Sequence, residues 1–482
     1  MRDFRPVFFI IGVLLCIQSI VMLIPAIIDL INQNTDWQIF LFSSLITFLT
    51  GLMLFFSFRN QKNKINLRQA YVLTIFSWIL IALFSCIPFI FGSSNLNFSD
   101  AFFESISGIT TTGATVIINL DELTEGILIW RSLLQWFGGV GIIVLALAIL
   151  PTLQIGGMQL LHMEHDDPYE KTLPKVGQFV LEILLIYLLF TLTCSILYSF
   201  AGMDKFDSIA HAMTTIATGG FSTHDLSFGY YDSLSIQLVS ILFMIIGSLP
   251  FVVYLKIIHG DWKVFFKDDQ IKLFLLLILI ISCLTSLWLF LTSSIEISKL
   301  FQISLFNIVS ILTGTGYSNS NYSLWGGFGI VIMFTIMFIG GCAGSTTGGI
   351  KIFRLQLLFR GAQSQIRKLI QPHGVFITTF NKKTVSEDAF NSIMGFFFMY
   401  ILIFIIASIS LSFLGLDYLT AISAAASAIS NVGPGLGELI GPSGNYNSLP
   451  VLAKWILSLT MLIGRLEIFT LLVVVSFAFW RK

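Results

Sequence analysis

Four times along this 482-residue chain, an apolar run long enough to cross a bilayer is followed by a segment of roughly 12 residues, too short to cross one, that ends at a glycine. The short segments are "DAFFESISGITTTGATV", "FDSIAHAMTTIATGGFS", "LFQISLFNIVSILTGTGYS" and "YLTAISAAASAISNVGPGL". They align on Gly113, Gly219, Gly316 and Gly433, each preceded by a β-branched residue: Thr112, Thr218, Thr315 and Val432. A long apolar run precedes each copy (69–92, 174–202, 271–293, 386–413), and a short polar loop and a second long run follow (126–151, 231–259, 325–360, 449–480). Non-helical backbone is tolerated at membrane depth only where protein or water surrounds it. Four such loops in one chain are most simply arranged around one axis, lining one pore.

Composition agrees with a membrane chain. It is 56 % hydrophobic and 11 % charged, where soluble proteins average about 45–50 % apolar and ~25 % charged. The expected fold is an all-α polytopic membrane protein. It has four helix–pore loop–helix repeats in pseudo-fourfold arrangement around one pore, plus two N-terminal transmembrane helices at about 7–31 and 37–57. The first of these is read as a spanning helix because its apolar part is too long for a signal-peptide core. The boundaries read as 1–68 for the N-terminal pair, then 69–151, 152–260, 261–370 and 371–482 for the four repeats. The five cysteines are scattered singly in apolar segments, so neither a disulfide framework nor a metal site is suggested. A formal net charge of zero predicts no nucleic-acid partner.

Charge distribution predicts orientation. Residues 59–68 carry four basic residues and no acid, and 351–383 carry seven and no acid. The "DELTE" loop at Asp121 to Glu125 is acidic. Short basic loops face the cytoplasm, and the signs alternate consistently with both termini inside. The 351–383 stretch is a candidate contact for anionic membrane lipid or a cytosolic partner; a purely topogenic role is the plainer alternative.

The glycines have a chemical reading. An ion leaving water needs its hydration oxygens replaced, and backbone carbonyls do this if the loop is extended. Glycine reaches φ > 0 at low steric cost, and the β-branched residue before it is stiff. Half-helices that aim their partially negative C-termini at the pore favour a cation. No acidic or basic side chain occupies an aligned position, which suits a dehydrated monovalent cation.

The T-x-G pattern is that of a potassium-channel selectivity filter. Its fourfold occurrence in one chain resembles the superfamily of potassium transporters that includes the bacterial Trk and Ktr uptake systems, over residues 69–482. The extra N-terminal helix pair is similar to the larger, Trk-type members. Carried over copy by copy, the filter is Thr111, Thr112 and Gly113; Ala217, Thr218 and Gly219; Gly314, Thr315 and Gly316; and Asn431, Val432 and Gly433. The residues after the glycines, Ala114, Gly220, Tyr317 and Pro434, depart from the tetrameric-channel pattern, so the outer filter is expected to be less regular. The resemblance implies potassium uptake, with K+ as the transported ion held at the filter residues and no cofactor in this chain. It also implies a homodimer, a cytosolic nucleotide-binding regulatory subunit of the TrkA type, and a multi-pass location in the bacterial inner membrane.

The stretch "GGCAGSTTGG", Gly340 to Gly349, interrupts the third repeat's second helix. Counted from Trp325 at 1.5 Å per residue, Gly340 lies roughly 22 Å in; counted from Pro450, so does Arg465. An arginine at that depth costs about 2.5–3.5 kcal/mol on insertion scales, so a function is expected of it. The expectation is an intramembrane gate. Gly340, Gly341, Gly344, Ser345, Thr346, Thr347, Gly348 and Gly349 lie across the ion path, Arg465 donates hydrogen bonds to the loop carbonyls, and Glu467 points to another helix face. The related transporters carry a gating loop in this helix. A packed kink for the loop, and snorkelling or an ion pair for Arg465, remain the alternatives.

Other signals are weak. "GSTTGGIK" lacks phosphate-loop spacing. "HMEHDDPYE" at His162 to Glu170 is read as a solvated loop rather than a metal site. Glu104 and His211 are read as polar packing behind the filter. A channel-like conductor stands ahead of a proton- or sodium-coupled symporter, which commonly shows an inverted repeat, and of a weakly selective cation channel. A membrane enzyme lacks clustered acids and histidines, so the chain is not expected to be an enzyme.

Overall fold

The computed structural model describes residues 3–59, 65–145, 176–292, 297–381 and 383–481. The His162 to Glu170 stretch and the 151/152 boundary lie outside them. The protein is a multi-pass helical membrane protein, with seven helices or continuous helix pairs among the described residues long and apolar enough to span a bilayer.

Helices α1 (Arg5–Val21) and α2 (Leu23–Ile31) run on as one span, and α3 (Trp37–Phe58) returns antiparallel to it. Two aspartates fasten this pair to the first repeat. Asp29 Oδ1 accepts from Gly126 N at 2.8 Å, while Asp36 Oδ2 accepts from Ser93 N and the Thr124 hydroxyl, both at 2.9 Å. The first repeat then runs α4 (Leu67–Phe91), α5 (Phe98–Ile109) and α6 (Glu125–Val144). The second is α7 (Val176–Phe200), α8 (Lys205–Ile216), α9 (Leu234–Ser248) and α10 (Phe251–Ile258), followed by the short α11 (Lys263–Lys267). The third is α12 (Asp269–Thr292), α13 (Ile297–Leu312), α14 (Gly326–Met337) and α15 (Ile352–Ile370). A two-residue hairpin, Thr379–Phe380 paired with Lys383–Thr384, leads to α16 (Glu387–Phe413), α17 (Tyr418–Ser430), α18 (Val451–Arg465), α19 (Phe469–Val475) and α20 (Phe477–Trp480).

The half-helices are α5, α8, α13 and α17. Three start on side-chain caps that satisfy free N-terminal amides: Asn97 to Asp100 N, Asp204 to Phe206 N, and Asp417 to Thr420 N. The third, at 16 residues, is longer than the others. They sit at the centre. All of α17 from Ser423 to Ser430 is buried, and its "SAAAS" lets neighbours approach closely. The first helices of the last three repeats are far more exposed: the apolar windows of α7, α12 and α16 are 28 %, 33 % and 28 % buried, against 50 % for α4 and 72 % for α6.

The second helices depart from the expected continuous runs. The axis bends by 92° between α9 and α10 and by 113° between α18 and α19. The first bend falls at Pro250, which has no N–H and disfavours helix in the residue before it. The second passes through Glu467 in the left-handed region (φ 56°). The third repeat's helix stops at Met337, slightly before the glycine run.

Candidate ion pathway

Each half-helix ends the same way. The amide of Thr112 bonds the Ser107 carbonyl, five residues back, and the amide of Thr111 bonds Gly108, three back. The same two bonds recur for Gly219 and Thr218, Thr315 and Gly314, and Val432 and Asn431. This is the Schellman termination, which requires a left-handed residue just past the helix. Those residues are Thr111 (φ 52°), Thr218 (49°), Gly314 (70°) and Asn431 (56°). Two positions on, the backbone is again left-handed, at Gly113 (86°), Gly220 (79°), Gly316 (84°) and Gly433 (104°).

The second copy therefore reads Thr218, Gly219, Gly220. The alignment on Gly219 is corrected by one residue, and Ala217 falls on the preceding turn as the C-cap of α8. The contacts between copies confirm this register. A Cβ on Gly113 would collide with the Gly219 carbonyl, one on Gly220 with Thr315, one on Gly316 with Val432, and one on Gly433 would lie 2.7 Å from the Thr112 oxygen. Each copy touches the next and the fourth returns to the first. All four glycines line one cavity of ≈ 70 Å³ at the outer side of this ring.

The ring is braced from behind. Gln135 Nε2 donates to the Gly219 carbonyl at 2.6 Å, and its Oε1 accepts from Phe221 N at 3.0 Å. Tyr446 and Ser427 hydroxyls donate to the Gly433 carbonyl at 2.8 and 2.7 Å. Asn431 Nδ2 reaches Thr112 Oγ1 at 3.0 Å. Glu104, wholly buried, accepts from Val116 N and from Arg131 Nε, both at 2.9 Å, while Arg131 donates to the Ser222 carbonyl at 2.8 Å. His211 bridges the Asp207 carbonyl and Ser222, each at 3.0 Å. Both residues thus do the packing expected of them. Gln135 was invisible in sequence, being 84 residues from the carbonyl that it serves.

Beneath the ring lies the 340–349 segment. Its Cys342 amide bonds Ser248 O at 2.9 Å, and its Gly344 carbonyl accepts from Phe251 N at 3.0 Å, so it fills the α9–α10 bend. Thr346 Oγ1 donates to Gly247 O at 2.9 Å or Ile216 O at 3.1 Å and lies 3.0 Å from Thr218 Oγ1. Gly348 is pressed against Ser430 O and Asn431, where a side chain would collide. The segment therefore touches the helix ends of the second and fourth copies at once.

Arg465 ends α18 and is 2 % exposed. It shares a cavity with Ser345, Thr347, Gly348, Lys351 and Glu467. The expected hydrogen bonds from Arg465 to the loop are absent: among the described residues its guanidinium nitrogens have no acceptor. Lys351 takes that place, its Nζ donating to Thr347 O and, at 3.0 Å, to Thr347 Oγ1. Glu467 does not point away, because the helix breaks before it. It pairs with Arg354 at 2.7 Å, in the same buried cluster.

The family model of TrkH, described as a cation transport protein, matches residues 37–481. The chain belongs to the TrkH family. Among its TrkH-family relatives, the Trk system potassium uptake protein TrkI of Halomonas elongata is 39 % identical over 100 % of this chain and 98 % of its own. The Trk system potassium uptake protein TrkH of Escherichia coli K12 is 37 % identical, covering 99 % of this chain and 100 % of its own. The crystal structure of the potassium transporter TrkH from Vibrio parahaemolyticus superposes with a TM-score of 0.92 at 36 % identity over the whole of both chains.

In this TrkH-family chain the loops around the four-glycine cavity carry one more cluster that the sequence did not reveal. His224 lies between Asp121 of the first copy's loop and Asp207 of the second half-helix, 3.0 Å from the latter, and stacks on Tyr230 at 3.6 Å. Burial alone would lower the His224 pKa, but the bonds and charges of Asp207 and Asp121 outweigh it and raise it. Asp121, also pushed up by burial, is lowered on balance by His224.

Proposed function

We propose that this chain conducts potassium into the cell through the ring formed by Thr111–Gly113, Thr218–Gly220, Gly314–Gly316 and Asn431–Gly433. The observation that carries the reading is the cyclic contact order of the four left-handed glycines. Four Schellman-terminated half-helices direct their partially negative ends at one centre, and neutral carbonyls there suit a monovalent cation. The relatives named as Trk system potassium uptake proteins support potassium as the ion. The membrane potential supplies ~2.3 kcal/mol per charge per 100 mV, enough to drive entry without a coupled ion. Glu104 and His211 are engaged in structural bonds, which favours a conductor over a proton-coupled carrier.

The 340–349 segment and Arg465 form the gate in this reading. The segment supplies the obstruction and Arg465 a buried positive charge below the filter. A homodimer, a nucleotide-binding regulatory subunit of the TrkA type, and an inner-membrane location with cytoplasmic termini complete the proposal. The test is flux from liposomes in K+, Rb+, Na+ and Li+. The wild type passes K+ and Rb+ ahead of Na+ and Li+, and Arg465→Ala raises resting K+ flux severalfold. Equal flux of all four ions overturns the filter; unchanged or reduced flux in Arg465→Ala, at normal protein level, overturns the gate.

A further inference from the structure

At the foot of α16, away from the pore, lies a cavity of ≈ 500 Å³ between α15, the 374–378 chain and the start of α16. Its size is that of a small-molecule site. Ser364 and Lys368 line it from α15, Glu387 and Asn391 from α16, with Phe376 and Phe390 as its apolar part. It thus offers a cation and hydroxyl on one wall and a carboxylate on the other. The start of α16, where Ser386 caps Ala389 N, carries Glu387 and Asp388 in its first turn, which makes this wall negative despite the helix end.

The depth of the cavity follows from helix length. Helix α16 has 27 residues, about 40 Å at 1.5 Å per residue. The hydrocarbon layer is about 30 Å thick. Roughly three residues at each end therefore sit among headgroups, which places Glu387 in that layer. The Glu387 face continues at helical spacing through Asn391 to Met394, Phe398, Leu402, Ile405 and Ile409. Met394 is 47 % exposed, Phe398 63 % and Ile409 64 %. A polar, two-signed cavity thus opens onto an apolar stripe that runs into the bilayer.

We propose that this cavity is a specific site for a phosphatidylethanolamine. The phosphodiester lies against Lys368 and Ser364 on α15, the ammonium meets Glu387 at the start of α16, and an acyl chain follows Met394 and Phe398. The opposite charges of the two walls select a zwitterion with a small, hydrogen-bonding ammonium over an anionic headgroup. Helix α15 connects this site directly to Lys351 and the 340–349 segment, but the lipid assignment does not depend on gating.

Native mass spectrometry of the purified full chain with phosphatidylethanolamine, phosphatidylglycerol or phosphatidylcholine tests this. The wild type retains phosphatidylethanolamine in preference to the other two. Lys368→Gln reduces phosphatidylethanolamine and phosphatidylglycerol adducts about tenfold. Glu387→Gln removes the preference between those two while keeping the phosphatidylglycerol adduct. Both side chains are exposed, and retained K+ flux in liposomes verifies folding. No preference in the wild type, equal loss of both lipids in Glu387→Gln, or unchanged adducts in Lys368→Gln overturns the proposal. The last is the pattern expected if a second copy of this chain covers the cavity.

Discussion

Gly220 holds a left-handed backbone, and a Cβ added to it would collide with the Thr315 carbonyl. An L side chain there meets strain and main chain together, and main chain cannot be trimmed. Gly219 differs: a Cβ on it would meet the Gln135 amide group, a side chain. Gly220→Ala is therefore expected to cut K+ flux at least about tenfold, by the 1–3 kcal/mol of a forced left-handed residue plus the collision. Gly219→Ala is expected to do less damage, and Gln135→Ala should relieve part of it. Liposome flux of the three variants checks the register; equal loss in both glycine variants, with no relief, contradicts it. The left-handed turns that end the half-helices were legible in register in three copies, because a single glycine follows each β-branched residue. In the second the Gly219–Gly220 doublet admits two alignments, and the T-x-G spacing of the first copy, Thr111 to Gly113, is the signal that selects Thr218 to Gly220. His224 gives a pH prediction at the same scale. Its pKa is raised in the fold, so its bridge contributes fully below the ordinary value of about 6.5 and is lost as pH rises through the raised value. The melting temperature of the wild type should fall across that window, and that fall should be absent in His224→Gln. The same slope in both excludes the bridge as a stabilising contact.

Among elements, the 340–349 segment was readable as a break, since no membrane helix is built from five glycines and three hydroxyl residues. Its seat was not. The seat is the α9–α10 bend, and Pro250 lies inside a run of hydropathy that otherwise reads as one span from 231 to 259. The partner of the loop was also misassigned: hydropathy marks Arg465 as anomalous at depth, whereas Lys351, which makes the bond, follows the loop in sequence and reads as the start of a basic cytoplasmic stretch. Thr346 offers a direct probe of the seated loop. Thr346→Val keeps the shape and removes the hydroxyl that serves Gly247 O, Ile216 O and Thr218 Oγ1. A buried hydrogen bond contributes about 0.5–1.5 kcal/mol. Loss of this hydroxyl should lower the occupancy of the seated loop about two- to tenfold and raise resting K+ leak to match. Leak at the wild-type level in correctly folded Thr346→Val would show that the segment does not obstruct the path.

For the molecule as a whole, the repeats close because the fourth is tied to the first. Lys454 of α18 and Asp100 of α5 form a buried pair at 2.6 Å across 354 residues, and Tyr446 N bonds Thr115 O at 2.8 Å. Removing one partner of a buried pair costs about 3–5 kcal/mol, so this seam holds the ring shut. Neither contact was legible in sequence, where a lysine and an aspartate at opposite ends of a long chain carry no mark of pairing. What was legible was the multi-pass, all-helical fold, which follows from bilayer thickness and the cost of unsatisfied backbone in lipid. In the proposed filter the carbonyls of Thr112, Gly219, Thr315 and Val432 together replace the water around a dehydrated cation. Anomalous diffraction from crystals grown in Rb+ tests it most directly. An Rb+ peak is expected on the axis of the ring, within coordination distance of oxygens from all four copies; a ring that stays empty in Rb+, or a peak held by side chains elsewhere, rules the filter out.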